Sequence, residues 1–327
     1  MREFTVLSII LFYIFTILTD CYILRDILSY CRYRKKAAVW SYSVSSVLFW
    51  GLVTVIAFWP AARESSSLIP LMWMIYTYFS VYVSKLLYVV FSAVGRLFRS
   101  KRKGRRVNYG VYAGIPLSLV AFIFMWWGAL FTRNEIVVEN VTVVSGRLPQ
   151  KFNGYRIVQF SDAHVGTWGN DTSFVSRLVD RINSLDPDLI VFTGDVVNRE
   201  TSEMEPFLSV LSRLKARDGV YSVLGNHDYG DYMDWSFPSE RDSNNALMRM
   251  WQRQIGWRML NNGHTFISRQ GDSIALIGVE NWGEPPFRQY GRLAEAYSGN
   301  SESASNLRDG RFKILLSHNP EHWNREV

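Results

Sequence analysis

Apolar residues run almost unbroken through four stretches of the first 131 positions, about 4–24, 39–59, 68–94 and 109–131. Each reaches the roughly 20 residues that a helix needs to cross hydrocarbon, where the backbone finds hydrogen-bond partners only within its own segment. Four spans are therefore predicted. The first is too long for the apolar region of a signal peptide and lacks a small-residue cleavage site, so it reads as retained. Asp20 and Lys85 interrupt the first and third stretches. The simpler expectation is that they snorkel from near a helix end, and the other is a proton or ion pathway.

Beyond residue 131 the period changes. Short runs rich in Val, Ile, Leu and aromatics at 136–144, 155–160, 189–192, 220–224, 273–279 and 312–316 are bounded by Gly, Asp or Asn and read as strands. Residues 172–184 place Phe174, Val175, Leu178, Val179 and Ile182 on one helical face, and further helices are expected at 205–214 and about 245–254. The serine-rich stretch 297–309 reads as a surface loop. The expected organisation is a four-helix transmembrane domain over 1–131, followed over 132–327 by an α+β domain of alternating strands and helices.

Charge sharpens this division. The net charge is +7, yet residues 1–131 hold 15 Lys/Arg against 4 Asp/Glu, and residues 132–327 hold 21 against 25. A mildly acidic second half has no basic face for phosphate backbones, so no nucleic-acid partner is expected. The positive residues instead cluster between predicted spans one and two (Arg25, Arg32, Arg34, Lys35, Lys36) and three and four (Arg96, Arg99, Lys101, Arg102, Lys103, Arg105, Arg106), whereas the middle loop offers Arg63. Lys/Arg excess marks the cytoplasmic side, which orients the second domain away from the cytoplasm. Trp59, Trp126 and Trp127 then fall near the outer ends of their spans, as interfacial aromatics would. Both cysteines, Cys21 and Cys31, lie in the first segment, so the second half has no disulfide, thiol chemistry or Cys-based zinc site.

The chemistry is concentrated after the strands. Four of them are followed by Ser161-Asp162-Ala163-His164, Thr193-Gly194-Asp195, Gly225-Asn226-His227-Asp228 and Ser317-His318-Asn319. One Asp after a strand is usually a turn or cap residue, but four metal-competent groups at carboxyl-terminal strand ends point to a ligand site. Asp162 and His164, two apart, would share a face on an extended stretch. Asp195 has two carboxylate oxygens to bridge a pair of cations. Mixed O and N donors favour Mn, Fe or Zn over Ca.

This ordered set, D-x-H, G-D, G-N-H-D and a later lone His, resembles the calcineurin-like metallophosphoesterases. It is similar to their membrane-linked branch, which includes UDP-2,3-diacylglucosamine hydrolases and cell-wall-associated phosphoesterases. The resemblance implies a four-layer α/β/β/α sandwich and two divalent metal ions. Asp162 and His164 would bind the first metal, Asp195 would bridge, and Asn226 and His318 would bind the second. It makes His227 and Asp228 the catalytic pair, with His227 beside the substrate phosphate and Asp228 orienting it, and it implies attack by a metal-bridging hydroxide. The function so implied is a membrane-anchored phosphohydrolase of the cytoplasmic membrane, multi-pass, with an extracytoplasmic catalytic domain that cleaves phosphoester or pyrophosphate bonds. Tethering favours a lipid-linked substrate by raising its effective concentration.

The family's closing Gly-His-x-His is absent, since Val327 comes nine residues after His318. Gly263-His264-Thr265 lacks the second His, and His264 is expected at a turn or strand edge. His322 is expected at the surface or behind the ligands. On this reading the sandwich lacks its last motif, with weakened metal occupancy and little turnover expected. The alternative function is non-catalytic, a phosphoesterase-like domain that binds a ligand or partner. Glu280, Asn281 and Trp282 are expected either in a solvated loop with a packed Trp or lining the substrate cleft, and Asn198 and Arg199 similarly.

Overall fold

A computed structural model describes residues 6–31, 33–59, 68–98, 100–102, 105–285, 288–298 and 310–327. The chain divides into two compact units, with the boundary between Ile136 and Val137.

The first unit contains four long helices, α1 (Val6–Tyr30), α2 (Lys35–Ala57), α3 (Leu68–Leu97) and α4 (Tyr109–Leu130). Among the described residues, Lys35–Ala57, Leu68–Leu97 and Tyr109–Asn134 are long and apolar enough to cross a membrane. A short antiparallel hairpin, β1 (Ser100–Arg102) with β2 (Arg105–Val107), links α3 to α4. Asn108 caps α4 by accepting from the Gly110 amide at 3.0 Å, and its own amide donates to the Ser92 carbonyl at 2.9 Å.

Snorkelling is not what Asp20 and Lys85 do. Both lie mid-helix, and Lys85 Nζ donates to Asp20 Oδ1 at 2.7 Å. The Tyr42 and Tyr82 hydroxyls (2.6 and 2.8 Å) and the Trp50 indole (3.2 Å) donate to the same carboxylate. A second buried carboxylate, Asp26, gathers Ser92, Tyr88 and Arg96. Away from water, an ion survives only when its lone pairs are met, so three helices meet around Asp20. Trp126, near the end of α4, is half-buried; its indole donates to Ser80 Oγ at 3.1 Å and stacks on Trp73, while Trp127 beside it is exposed.

In the second unit, β3 (Ile157–Phe160), β4 (Leu189–Phe192), β5 (Val220–Ser222) and β6 (Trp257–Met259) form an all-parallel sheet in that order. A second sheet joins β7 (Gly263–Arg269) antiparallel to β8 (Asp272–Gly278), and β8 parallel to β9 (Lys313–Leu316). Alternation along β4 sends Ile190 and Phe192 towards α5 (Ser173–Ser184), α6 (Leu208–Leu211) and α7 (Pro238–Gln254), and Leu189 and Val191 towards the second sheet. The outer face of the second sheet packs Ala275, Ile277 and Val279 against Ala296 of α8 (Leu293–Ser298). The layers therefore run helix, sheet, sheet, helix. Each fully buried Val, Leu, Ile or Phe contributes roughly 1.5–3 kcal/mol.

Several elements differ from expectation. Residues 136–144 form no strand; Val137, Val141, Val143 and Val144 are exposed, and alternation without a ladder partner does not make a sheet. The expected helix at 205–214 is a 3-10 segment, Thr201–Phe207, leading into α6, because Pro206 withholds a donor. Helix α7 starts at Pro238, earlier than its apolar positions announce, with proline in the first turn. Strands β6 and β7 were not anticipated. Of the expected loop 297–309, residues 299–309 lie outside the described residues, and Tyr297 and Ser298 end α8.

Candidate metal centre

Parallel strands β3, β4 and β5 end side by side, so the segments after them become neighbours. Asp162 N donates to the Gly194 carbonyl at 2.9 Å, His164 N to the Asp195 carbonyl at 3.1 Å, and Val165 N to the Val196 carbonyl at 2.9 Å. Asp162 (φ 53°), His164 (φ 39°) and Asp195 (φ 63°) all adopt the left-handed region, at about 1–3 kcal/mol each. The D-x-H segment is thus not extended, yet its two side chains still meet, with His164 Nε2 3.8 Å from Asp162 Oδ1.

Asp195 is the centre of the arrangement. Its side chain is 4% exposed, and its Oδ1 accepts from the His227 amide at 2.9 Å. Around Oδ2 stand three imidazole Nε2 atoms, His318 at 3.4 Å, His164 at 3.5 Å and His227 at 4.0 Å. Each ring has its other nitrogen on a backbone carbonyl: His318 Nδ1 on Thr193 (2.8 Å), His164 Nδ1 on Val197 (3.1 Å) and His227 Nδ1 on Asn198 (2.5 Å). A ring that donates through Nδ1 presents a lone pair at Nε2, which is how a metal-ligating histidine is held. Asn226 Oδ1 lies 3.0 Å from His318 Nε2, and its amide nitrogen donates to the Tyr232 hydroxyl at 2.7 Å.

Donor atoms of His164, Asp195 and His227 lie within 4.8 Å of one another, and so do those of Asp162, Asp195 and His318. Asp195 belongs to both groups. The donor set fits divalent cations, since lone pairs of nitrogen and oxygen converge where a positive charge would satisfy all of them. A proton can also supply that charge: burial works against a charged His318, but the hydrogen bond and charge of Asp195 push it up to about 9. Burial likewise raises Asp195, yet His318 and the His227 amide hold its carboxyl below the usual range.

Two glycines make room for this crowding. Gly194 has φ +100°, and a Cβ there would meet Gly225 N at 2.4 Å and His318 Nδ1 at 2.9 Å. A Cβ on Gly225 would lie 2.1 Å from Asp195 Oδ1.

The structure brings together Asp162, His164, Asp195, Asn226, His227 and His318. It does not bring Asp228 to them as a partner for the His227 ring. Asp228 is buried and accepts from the amides of Asp195, Val196, Val197 and Gly225 at 2.8–3.3 Å. It ties the β4 and β5 loops together, and the Asn198 carbonyl orients His227 in its place. Burial and the neighbouring Asp195 push Asp228 up to about 7 against the pull of these amides. Asn198 therefore serves through its backbone.

Glu203 supports that backbone by accepting from the amides of Asn198 (2.6 Å) and Arg199 (3.0 Å). Glu203 and Tyr232 carry no motif and were not anticipated. His264 is a β7 residue whose Nδ1 meets the Ala296 carbonyl. His322 is fully buried, stacked on Trp282 and bonded to Ser317, so a surface position is excluded. Trp282 is packed as the loop reading has it, and Asn281 is buried beside it, not solvated.

A family model described as calcineurin-like phosphoesterase matches residues 155–327, more than half of the chain. The chain belongs to the calcineurin-like phosphoesterases. A second model, described as the transmembrane domain of a probable calcineurin-like phosphoesterase, matches residues 2–133, and the chain is a membrane protein of this family. A transmembrane protein with metallophosphoesterase domain from Danio rerio is 28% identical over 213 residues, covering 62% of this chain and 45% of the relative. The metallophosphoesterase YkuE of Bacillus subtilis is 30% identical over 185 residues, covering 55% and 56%. The UDP-2,3-diacylglucosamine pyrophosphatase LpxG of Chlamydia trachomatis is 37% identical over 131 residues, covering 39% of each chain. The chain thus spans about half the length, or less, of these relatives.

Proposed function

We propose that this phosphoesterase is a dinuclear-metal phosphohydrolase anchored in the cytoplasmic membrane, with its α/β unit on the outer side. Its substrate class is a phosphoester or pyrophosphate, and the favoured member is lipid-linked. The observation that carries the reading is the convergence of three imidazole Nε2 atoms on the buried Asp195 carboxylate, with the Asn226 carbonyl against the His318 Nε2 among them. Asp162 and His164 would hold one cation, Asn226 and His318 the other, and Asp195 both. Bound there, the cations would supply the charge that polarises a phosphoryl group and acidifies water. His227 would face the phosphate, its ring held by Asn198 so that Nε2 carries the exchangeable proton or lone pair.

The basic residues before α2 and after α3 support the orientation. The lipid-linked substrate is supported by the membrane unit and by the pyrophosphatase relative, whose name specifies UDP-2,3-diacylglucosamine. The test is hydrolysis of an aryl phosphomonoester and an aryl phosphodiester by the full chain in detergent. Low turnover is expected with Mn²⁺ and none with EDTA, and Asp195→Asn should lower it by about 10³-fold or more. A folded, Mn²⁺-loaded protein that hydrolyses neither ester overturns the proposal.

A further inference from the structure

Beside the six convergent residues stands a tyrosine that touches two of them. Tyr232 accepts from Asn226 Nδ2 at 2.7 Å, and its ring stacks on the His227 imidazole with centroids 4.3 Å apart and planes 28° apart. We infer that Tyr232 is a positioning residue that couples the Asn226 amide to the His227 ring, an inference that rests on the proposed function of this site.

The turn that carries Tyr232 is built to hold it. Met233 N and the Trp235 indole both donate to the Gly230 carbonyl, at 3.2 and 2.6 Å. Asp231 is held from the other side by Arg241 (3.2 Å), Arg288 (3.6 Å) and the Tyr290 hydroxyl (2.6 Å). A residue so fixed can transmit position to what it touches.

A hydroxyl serves an amide of either orientation, so the Asn226 bond does not choose the flip; a cation held by Oδ1 would. The bond fixes the plane of the amide and draws on its N–H, which leaves more negative charge on Oδ1, the atom facing His318. Outer hydrogen-bond partners of this kind are worth about 10–100-fold in metal affinity. The stack has a separate effect. With Nδ1 on the Asn198 carbonyl and one face against Tyr232, the His227 ring is restrained both in its plane and across it. One side chain therefore supports a candidate ligand through oxygen and a substrate-facing imidazole through its ring.

The two contacts can be separated on the full chain in detergent. Tyr232→Phe keeps the stack and loses the bond; Tyr232→Leu loses both. Free Mn²⁺ is followed by electron paramagnetic resonance to obtain affinity without any substrate. Tyr232→Phe should bind Mn²⁺ about 10–100-fold more weakly, with kcat at saturating Mn²⁺ near wild type. Tyr232→Leu should add a fall in kcat at saturating Mn²⁺ that Tyr232→Phe does not show. Wild-type affinity in Tyr232→Phe overturns the inference while leaving the proposed function standing. Absence of Mn²⁺ binding by the wild-type chain overturns both.

Discussion

Each unit buries a carboxylate, and the two are treated in opposite ways. Asp20 in the helical unit is met by an ammonium, two hydroxyls and an indole, all of them donors within 3.2 Å. Asp195 in the α/β unit receives one backbone amide on Oδ1, and its Oδ2 faces three imidazole nitrogens at 3.4–4.0 Å whose other nitrogens are already committed to carbonyls. The first carboxylate is closed by its own protein. The second faces imidazoles that can take up a proton or turn lone pairs to a cation, so its completion is left to a charge from outside. Burial alone does not separate structure from function; the polarity of what faces the charge does.

The sharpest way to break this comparison is to remove each carboxylate in turn. Asp195→Asn keeps the shape and the acceptor for the His227 amide, so the metal-free protein should melt no lower than wild type. Hydrolysis should fall by about 10³-fold or more, because the charge shared by both donor groups is gone. Kinetics and calorimetry on one preparation check both halves, and a large loss of metal-free stability would make Asp195 structural. Asp20→Leu should do the reverse. It leaves Lys85 buried and unpaired, which costs about 3–5 kcal/mol, while turnover per folded molecule stays the same. The double change Asp20→Leu with Lys85→Leu should recover most of that loss. Equal stability of the single variant and wild type in denaturant titrations would contradict the closed-site reading.

The same contrast sets what could be read in the sequence. The ligands were legible because β3, β4, β5 and β9 are short apolar runs, each ending in the polar residues the site uses. Strand β4, Leu-Ile-Val-Phe, is buried on both faces and announces itself. Strand β7, Gly-His-Thr-Phe-Ile-Ser-Arg, buries only Ile267 fully and mixes its polar positions, so no alternation showed. The partner of Asp20 sits 65 positions away on another helix, and no periodicity within one span can reveal it. Asp228 misled for a different reason. It stands inside the G-N-H-D motif, yet its oxygens are spent on four backbone amides, a use that depends on where the β4 loop lies. Tyr232 and Glu203 act through space on backbone and rings, and neither residue type nor spacing marks them.

A smaller effect sharpens the idea that the α/β site is completed from outside. Mn²⁺ at 100 times its dissociation constant should stabilise the protein by about 2.7 kcal/mol, seen as a raised melting temperature that EDTA reverses. Asp195→Asn should lose most of this response and Asp20→Asn none of it. A shift of equal size in Asp195→Asn would place the cation elsewhere in the chain.

The smallest expected effect tests whether His227 is held through backbone. Glu203 gathers the amides of Asn198, Arg199 and Glu200 at 2.6, 3.0 and 3.3 Å, and so fixes the segment whose Asn198 carbonyl meets His227 Nδ1. Replacing it with Gln puts an N–H group against at least one of those donors, which costs about 1–3 kcal/mol. The Asn198 N–H belongs to the peptide group whose Val197 carbonyl meets His164 Nδ1, so both imidazoles lose support, and Mn²⁺ affinity and kcat at saturating Mn²⁺ should each drop by about tenfold. Wild-type Mn²⁺ affinity together with wild-type kcat in this variant would mean that the segment positions neither imidazole.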